Sequence, residues 1–134
     1  MTSPAELWAS YTELLCAGKA SEWRQLWQDD GQFTVAYPFG GMPATTQGSA
    51  DIAKGVKALA QLTKKIEISN VEVIETTDPN LFIAEYMLEL RGRRADPYRS
   101  KIMAKVTLRD GKIAAVTEYF DSLEYRDFLK TMGL

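Results

Sequence analysis

Two hydrophobic periods alternate along the chain, and the switches between them divide it into elements. Leu7, Tyr11, Leu14 and Leu15 recur at helical spacing. They follow Ser3-Pro4-Ala5-Glu6, which supplies an N-cap, a first-turn proline and a glutamate at N3. Gly18 closes this helix, and Trp8 lies just beside its stripe. A second short helix is predicted over 20–28, with Trp23, Leu26 and Trp27 apolar and Asp29-Asp30-Gly31 as its stop. Residues 32–37 alternate as a strand through Phe33, Val35 and Tyr37. Pro38 and Gly40-Gly41 then open a loop over 38–48. Ile52, Val56, Leu59 and Leu62 mark a third helix over 49–62. Beyond it the period falls to two, with strands over 65–76 and 81–90 and a hairpin over 98–123. The apolar phase shifts between Ile68 and Val71, which predicts a bulge near Ser69-Asn70. Asp121 then caps a last short helix that ends by Gly133.

The hairpin organises the rest. Asp110-Gly111 suits a type I′ turn, because both residues tolerate the positive φ it needs. The strand phase on either side follows. Ile102, Ala104, Val106 and Leu108 share one face with Ala114, Val116, Glu118 and Phe120. Glu118 is thus a carboxylate on an otherwise apolar face, where an acid is paired, wet or placed for chemistry. Helices gathered early and strands late predict an α+β domain, with helices covering one face of an antiparallel sheet. Ile83 and Met87 point opposite to Phe82, Tyr86 and Leu88, so both sheet faces carry apolar residues. A homodimer through the outer face would cover the second.

Composition narrows the chemistry. The 134 residues make one domain over 1–134, 46% hydrophobic and 25% charged, as in a globular protein. A net charge of −2 gives no general attraction to nucleic acid or to an anionic membrane. The one cysteine, Cys16, and the absence of a leader or long apolar run lead to a cytoplasmic expectation. The chain has no histidine, so acid–base work falls to Asp, Glu, Tyr, Lys or Cys16. No third ligand accompanies Asp29-Asp30, and no metal or cofactor site is predicted. Arg91, Arg93, Arg94, Arg99 and Lys101 form the only basic cluster, which reads as a solvated loop.

AGKASEWRQLWQDDGQF, the glycine-bearing loop after YPFGG, and DGKIAAVTEYFD resemble the nuclear transport factor 2-like superfamily. NVEVIETTDPNLFIAEY is most similar to its SnoaL-like, phenazine-biosynthesis A/B branch. The resemblance implies a cone-shaped curved sheet with a pocket between its concave face and the N-terminal helices. It also implies where functional residues would fall. The general base of ketosteroid isomerases maps to Tyr37, their second acid to about Ala104 and their first-helix tyrosine to Tyr11. The water-activating Arg and Asp of limonene epoxide hydrolases map to Tyr86 and Leu88, and their last-strand Asp to Glu118. The phenazine-type glutamate maps to Glu118 and its third-helix histidine to about Gly55.

The resulting expectation is a cofactor-free enzyme acting on a small hydrophobic or aromatic metabolite by proton transfer, as in isomerisation, cyclisation or dehydration. Glu118 is the acid/base, with Tyr11 and Tyr37 as phenolic partners. Trp27, Phe39, Met42, Leu59, Phe82, Tyr86 and Val116 are the expected pocket lining. A non-catalytic binding protein of the same fold and a dimerisation module with a filled interior are the alternatives. Epoxide hydrolysis is the weakest reading, since the positions of its water-activating pair hold Tyr86 and Leu88.

Overall fold

The computed structural model describes residues 2–92 and 96–133. Arg93 and Arg94 of the basic cluster lie outside them. The elements are α1 (Pro4–Cys16), α2 (Ala20–Arg24), β1 (Trp27–Val35), β2 (Thr45–Gln47), α3 (Ser49–Leu62), β3 (Lys65–Glu75), β4 (Leu81–Arg91), β5 (Tyr98–Arg109), β6 (Lys112–Tyr119) and α4 (Ser122–Thr131). This is an α+β domain with a six-stranded, curved, unclosed sheet in the order β2-β1-β6-β5-β4-β3.

Local chemistry sets the element ends much as read. Ser3 and Glu6 close a reciprocal capping box on α1, and Asp121 accepts hydrogen bonds from the Leu123 and Glu124 backbone at the start of α4. Asp110 and Gly111 take φ of 52° and 77°, as the hairpin turn requires. The predicted bulge in β3 is present: pairing with β4 slips between Ser69 and Glu72, and Asn70 takes φ 52°.

Three expectations are corrected. The second helix stops at Arg24, and Trp27 and Gln28 belong to β1. Trp27 there packs its ring where a side chain on Gly31 would stand, 2.7 Å from an ideal Cβ. The helix stop read into Asp29-Asp30-Gly31 is therefore an irregularity within a strand, where pairing with β6 slips between Trp27 and Gln32. Within the expected loop over 38–48, β2 pairs antiparallel with β1. Finally, the sheet is not wholly antiparallel. β1 runs parallel to β6, pairing Phe33 with Val116 and Val35 with Glu118.

α1, α2 and α3 close over one face of the sheet around a core of Trp8, Tyr11, Trp23, Trp27, Phe82 and Tyr86. Trp8, placed beside the helical stripe by spacing alone, is fully buried and stacks on Tyr11 with ring centroids 4.1 Å apart. A smaller cluster of Ile66, Leu90, Tyr98 and Phe128 ties α4 to the far end of β3, β4 and β5. A register slip between Thr107 and Leu108 places Ile113, rather than Ala114, on the inner face of β6, fully buried. No helix among the described residues is long and apolar enough to cross a membrane.

Candidate active site

A cavity of about 250 Å³ lies between the inner face of the sheet and the helices. Its floor is laid by strand alternation. Phe33 and Val35 of β1, Glu118 of β6, Ile102 of β5, and Tyr86 and Leu88 of β4 share one face through the paired registers. α1 adds Tyr11, α2 adds Trp23, and α3 adds Ile52, Val56 and Leu59. Tyr125 of α4 and Phe120 close one side, with their rings edge to face at 5.9 Å. The interior is open, which favours the catalytic and binding readings over a dimerisation module with a filled interior.

Glu118 is the chemical centre of this cavity. Its carboxylate is walled by protein yet keeps a surface toward the cavity, which makes it half-buried as a residue. The Tyr86 hydroxyl donates to Oε2 at 2.6 Å, while Oε1 has no hydrogen-bond partner among the described residues. No cation pairs with it there either. Desolvation dominates, pushing the Glu118 pKa up to about 7, and the Tyr86 hydrogen bond offsets part of that rise. A carboxyl poised near neutrality can both accept and return a proton.

Four phenols are coupled to this acid. Burial, then the Glu118 charge, raises the pKa of Tyr11 and Tyr86 well above the usual phenol value, so both stay protonated donors. Tyr125 is raised by the same two causes. Burial holds Tyr98 up at about 12, although the nearby Ser100 hydroxyl pulls it down. Ser100 gives its own hydrogen bond to the Lys101 carbonyl at 3.2 Å. Tyr98 Oη is therefore sealed in the wall without a partner among the described residues.

The cavity gathers some predicted residues and rejects others. Glu118, Tyr11, Met42, Leu59 and Tyr86 line it. Tyr37 does not; it is 65% exposed, with its ring edge-on to Tyr119 at 6.1 Å. The alternation that should have turned Tyr37 inward ends with the strand at Val35, and the bend before Pro38 swings the ring to the outer face. Trp27, Phe82 and Val116 are core residues buried behind the lining, and Phe39 lies in the loop away from it. Trp23, Phe33, Tyr98, Phe120 and Tyr125 line the cavity unforeseen. Phe33, Phe120 and Tyr98 were legible, because they share strand phase with Val35, Glu118 and Ile102.

The resemblance mapped several functional positions to this space. Ala104 faces Glu118 directly across the β5–β6 pair, and Leu88 and Gly55 are part of the lining. A Cβ on Gly55 would meet nothing within 4 Å, so the missing side chain leaves room in the α3 wall.

A curved sheet, helices on its inner face and a cavity between them define a class of small cavity-bearing α+β domains. Within that class, residues 8–116 match the model of the SnoaL-like domain, and the chain belongs to the SnoaL-like family. YesE, an uncharacterised Bacillus subtilis protein, is 27% identical over 109 residues, spanning 78% of this chain and 72% of its own. A solved Bacillus subtilis structure provisionally described as an isomerase superposes with a TM-score of 0.85 at 21% identity, covering 94% of this chain and 91% of that one. A Pseudomonas putida protein provisionally described as a polyketide cyclase gives 0.78 at 18%, covering 95% and 98%. A phenazine biosynthesis-related protein of Pseudomonas aeruginosa gives 0.72 at 20%, covering 97% and 86%. At these identities the structures establish a shared fold.

Proposed function

We propose that the protein is a cofactor-independent enzyme that moves a proton on a small hydrophobic or aromatic metabolite, in an isomerisation, cyclisation or dehydration. The observation that carries this reading is Glu118, a carboxyl at about pH 7 with one oxygen held by Tyr86 and the other free toward an apolar cavity. Above pH 7 the carboxylate takes a proton from a carbon or hydroxyl set against Oε1; the protonated acid then returns it elsewhere on the same molecule. Tyr11, protonated and lining the same space, donates a hydrogen bond to the oxygen on which charge develops. The isomerase and cyclase descriptions of the similar structures support the reaction type. A place in specialised metabolism belongs to the same proposal.

The test does not require the natural substrate. Small aromatic and alicyclic ketones incubated in D2O should exchange their α-hydrogens faster with the native protein than with Glu118→Gln, followed by proton NMR. Equal rates across such a panel, together with an ordinary Glu118 pKa, would refute the acid/base role.

The outer sheet face fits the expected homodimer. Ile74, Ile83, Met87, Met103 and Tyr119 share it with Glu72, Glu85, Lys101 and Lys105. Ile74 and Met103 remain 42% and 36% exposed, and a two-fold axis through this face can set acid against base. Light scattering should give twice the chain mass at micromolar concentration, and Met103→Glu should halve it. A native monomer overturns the dimer.

A further inference from the structure

The charge of the cavity is one-sided. Among the described residues its lining contains two ionisable carboxylates, Glu118 and Asp51, and no lysine or arginine. Asp51 stands at the exposed edge, 3.5 Å from Lys54, so its charge is largely spent there. Glu118 has no such partner among the described residues. Around it, Tyr11, Trp23, Phe33, Tyr86, Phe120 and Tyr125 turn aromatic surface toward the cavity, and Tyr98 adds another ring. Ring faces carry partial negative charge, and a desolvated cation among them is held more strongly than one in water. An anionic substrate would meet Glu118 with no lysine or arginine among the described lining residues to offset the repulsion.

From these features we infer that the cavity takes an organic cation, a small alkylammonium whose charged nitrogen sits against Glu118 within the aromatic wall. This deepens the reading above and rests on it, since it takes Glu118 as the working carboxylate and names the charge of what it meets. The two roles are compatible. Where the ammonium-bearing molecule also carries a carbonyl, the same carboxylate can take the hydrogen on the carbon between them. The electron pair passes to the carbonyl oxygen, which accepts a hydrogen bond from Tyr11.

The groups facing Glu118 from each packed element are phenols held neutral by burial: Tyr11 on α1, Tyr86 on β4, Tyr98 on β5 and Tyr125 on α4. Asp51 on α3 stays at the edge. Ionisation of Glu118 therefore makes cation affinity rise as pH increases through about 7.

Choline and 3,3-dimethylbutan-1-ol, equal in shape and differing in charge, are titrated into the native protein at pH 8 and pH 5.5, following tryptophan fluorescence or ligand-observed NMR. The expected result is that choline binds about tenfold or more tighter at pH 8, equivalent to ~1.4 kcal/mol. That preference is lost at pH 5.5 and in Glu118→Gln. Should the variant fail to fold, the pH 5.5 arm on the native protein answers the same question. A neutral isostere that binds as well or better at pH 8, a preference that survives at pH 5.5, or no binding of either compound overturns the inference. A Glu118 pKa measured on the same sample separates the two readings. Near 7 with the neutral isostere preferred, only the cation assignment falls; near the ordinary carboxylate value, the proton-transfer reading falls as well.

Discussion

Replacing Tyr86 with phenylalanine tests the site at the one hydrogen bond Glu118 accepts on its side chain among the described residues. The phenol donates to Glu118 Oε2 at 2.6 Å, inside a wall that holds no lysine or arginine among the described residues. A hydrogen bond to an ionised group contributes ~1.5–3 kcal/mol, and 1.36 kcal/mol corresponds to one pH unit. Because the donor favours the charged form, its loss moves the Glu118 pKa upward from about 7, by about 1 to 2 pH units. Water entering the vacated space would bring the rise toward the lower end. The assay is carbon-detected NMR titration of the Glu118 carboxyl in native protein and Tyr86→Phe, with Glu118→Gln to assign the resonance. A downward move would refute the argument, since it would mean that the protonated carboxyl is the donor and Tyr86 the acceptor. No move would show that the contact does not act on the charge.

Glu118→Gln should stabilise the fold at alkaline pH. The native carboxyl titrates near 7 against a usual 4.5, so ionised Glu118 destabilises the fold increasingly from pH 4.5 to 7 and constantly above. That gap sets a gain of up to ~3 kcal/mol at pH 8 that vanishes by pH 4, measurable by urea unfolding at both values. Gly31→Ala should destabilise the fold by ~1–3 kcal/mol, because the new methyl would stand 2.7 Å from the Trp27 ring and 3.1 Å from the Gln28 carbonyl oxygen; a drop in Tm reads it out. Asp121→Ala removes both cap hydrogen bonds of α4, with a loss of ~1 kcal/mol. Since α4 carries Tyr125 into the cavity wall, that variant should also weaken binding of any cavity ligand, as calorimetry would report.

What could be read from the chain was whatever local pattern decides. Asp110-Gly111 placed the hairpin, and the apolar alternation of each strand marked its inner face. Counted strictly from the turn, Glu118 would oppose Met103, and the slip between Thr107 and Leu108 is what sets it opposite Ala104. The same reasoning failed at Tyr37, because phase holds only while the strand lasts, and this one ends at Val35. Trp27 was drawn into a helix by its spacing from Trp23, whereas pairing with Ile113 on β6 keeps it in a strand. β2, three residues long, is too short for an alternation to declare itself. Tyr125 reaches the cavity because α4 returns over the end of the sheet, bringing its ring centroid 5.5 Å from that of Tyr98. That contact is tertiary, and no window of sequence contains it. Tyr86 was read as lining; its hydrogen bond to Glu118 depends on a β4–β5–β6 register that also had to be built first.

The parallel seam between β1 and β6 also fixes when the site can come into being. β3 to β6 join through hairpins whose partners lie close in sequence and can form as the chain emerges. Val35, however, must wait for Glu118 before its strand has a neighbour on that side. Closing so long a loop is entropically unfavourable, and parallel pairing over such a separation is slow to form. During synthesis the early helices and β1 therefore carry exposed tryptophans with no sheet to cover them, until nearly the whole chain has left the ribosome. The cavity and its carboxylate are assembled in that last step, so a chain that stalls or is truncated before β6 has no site at all.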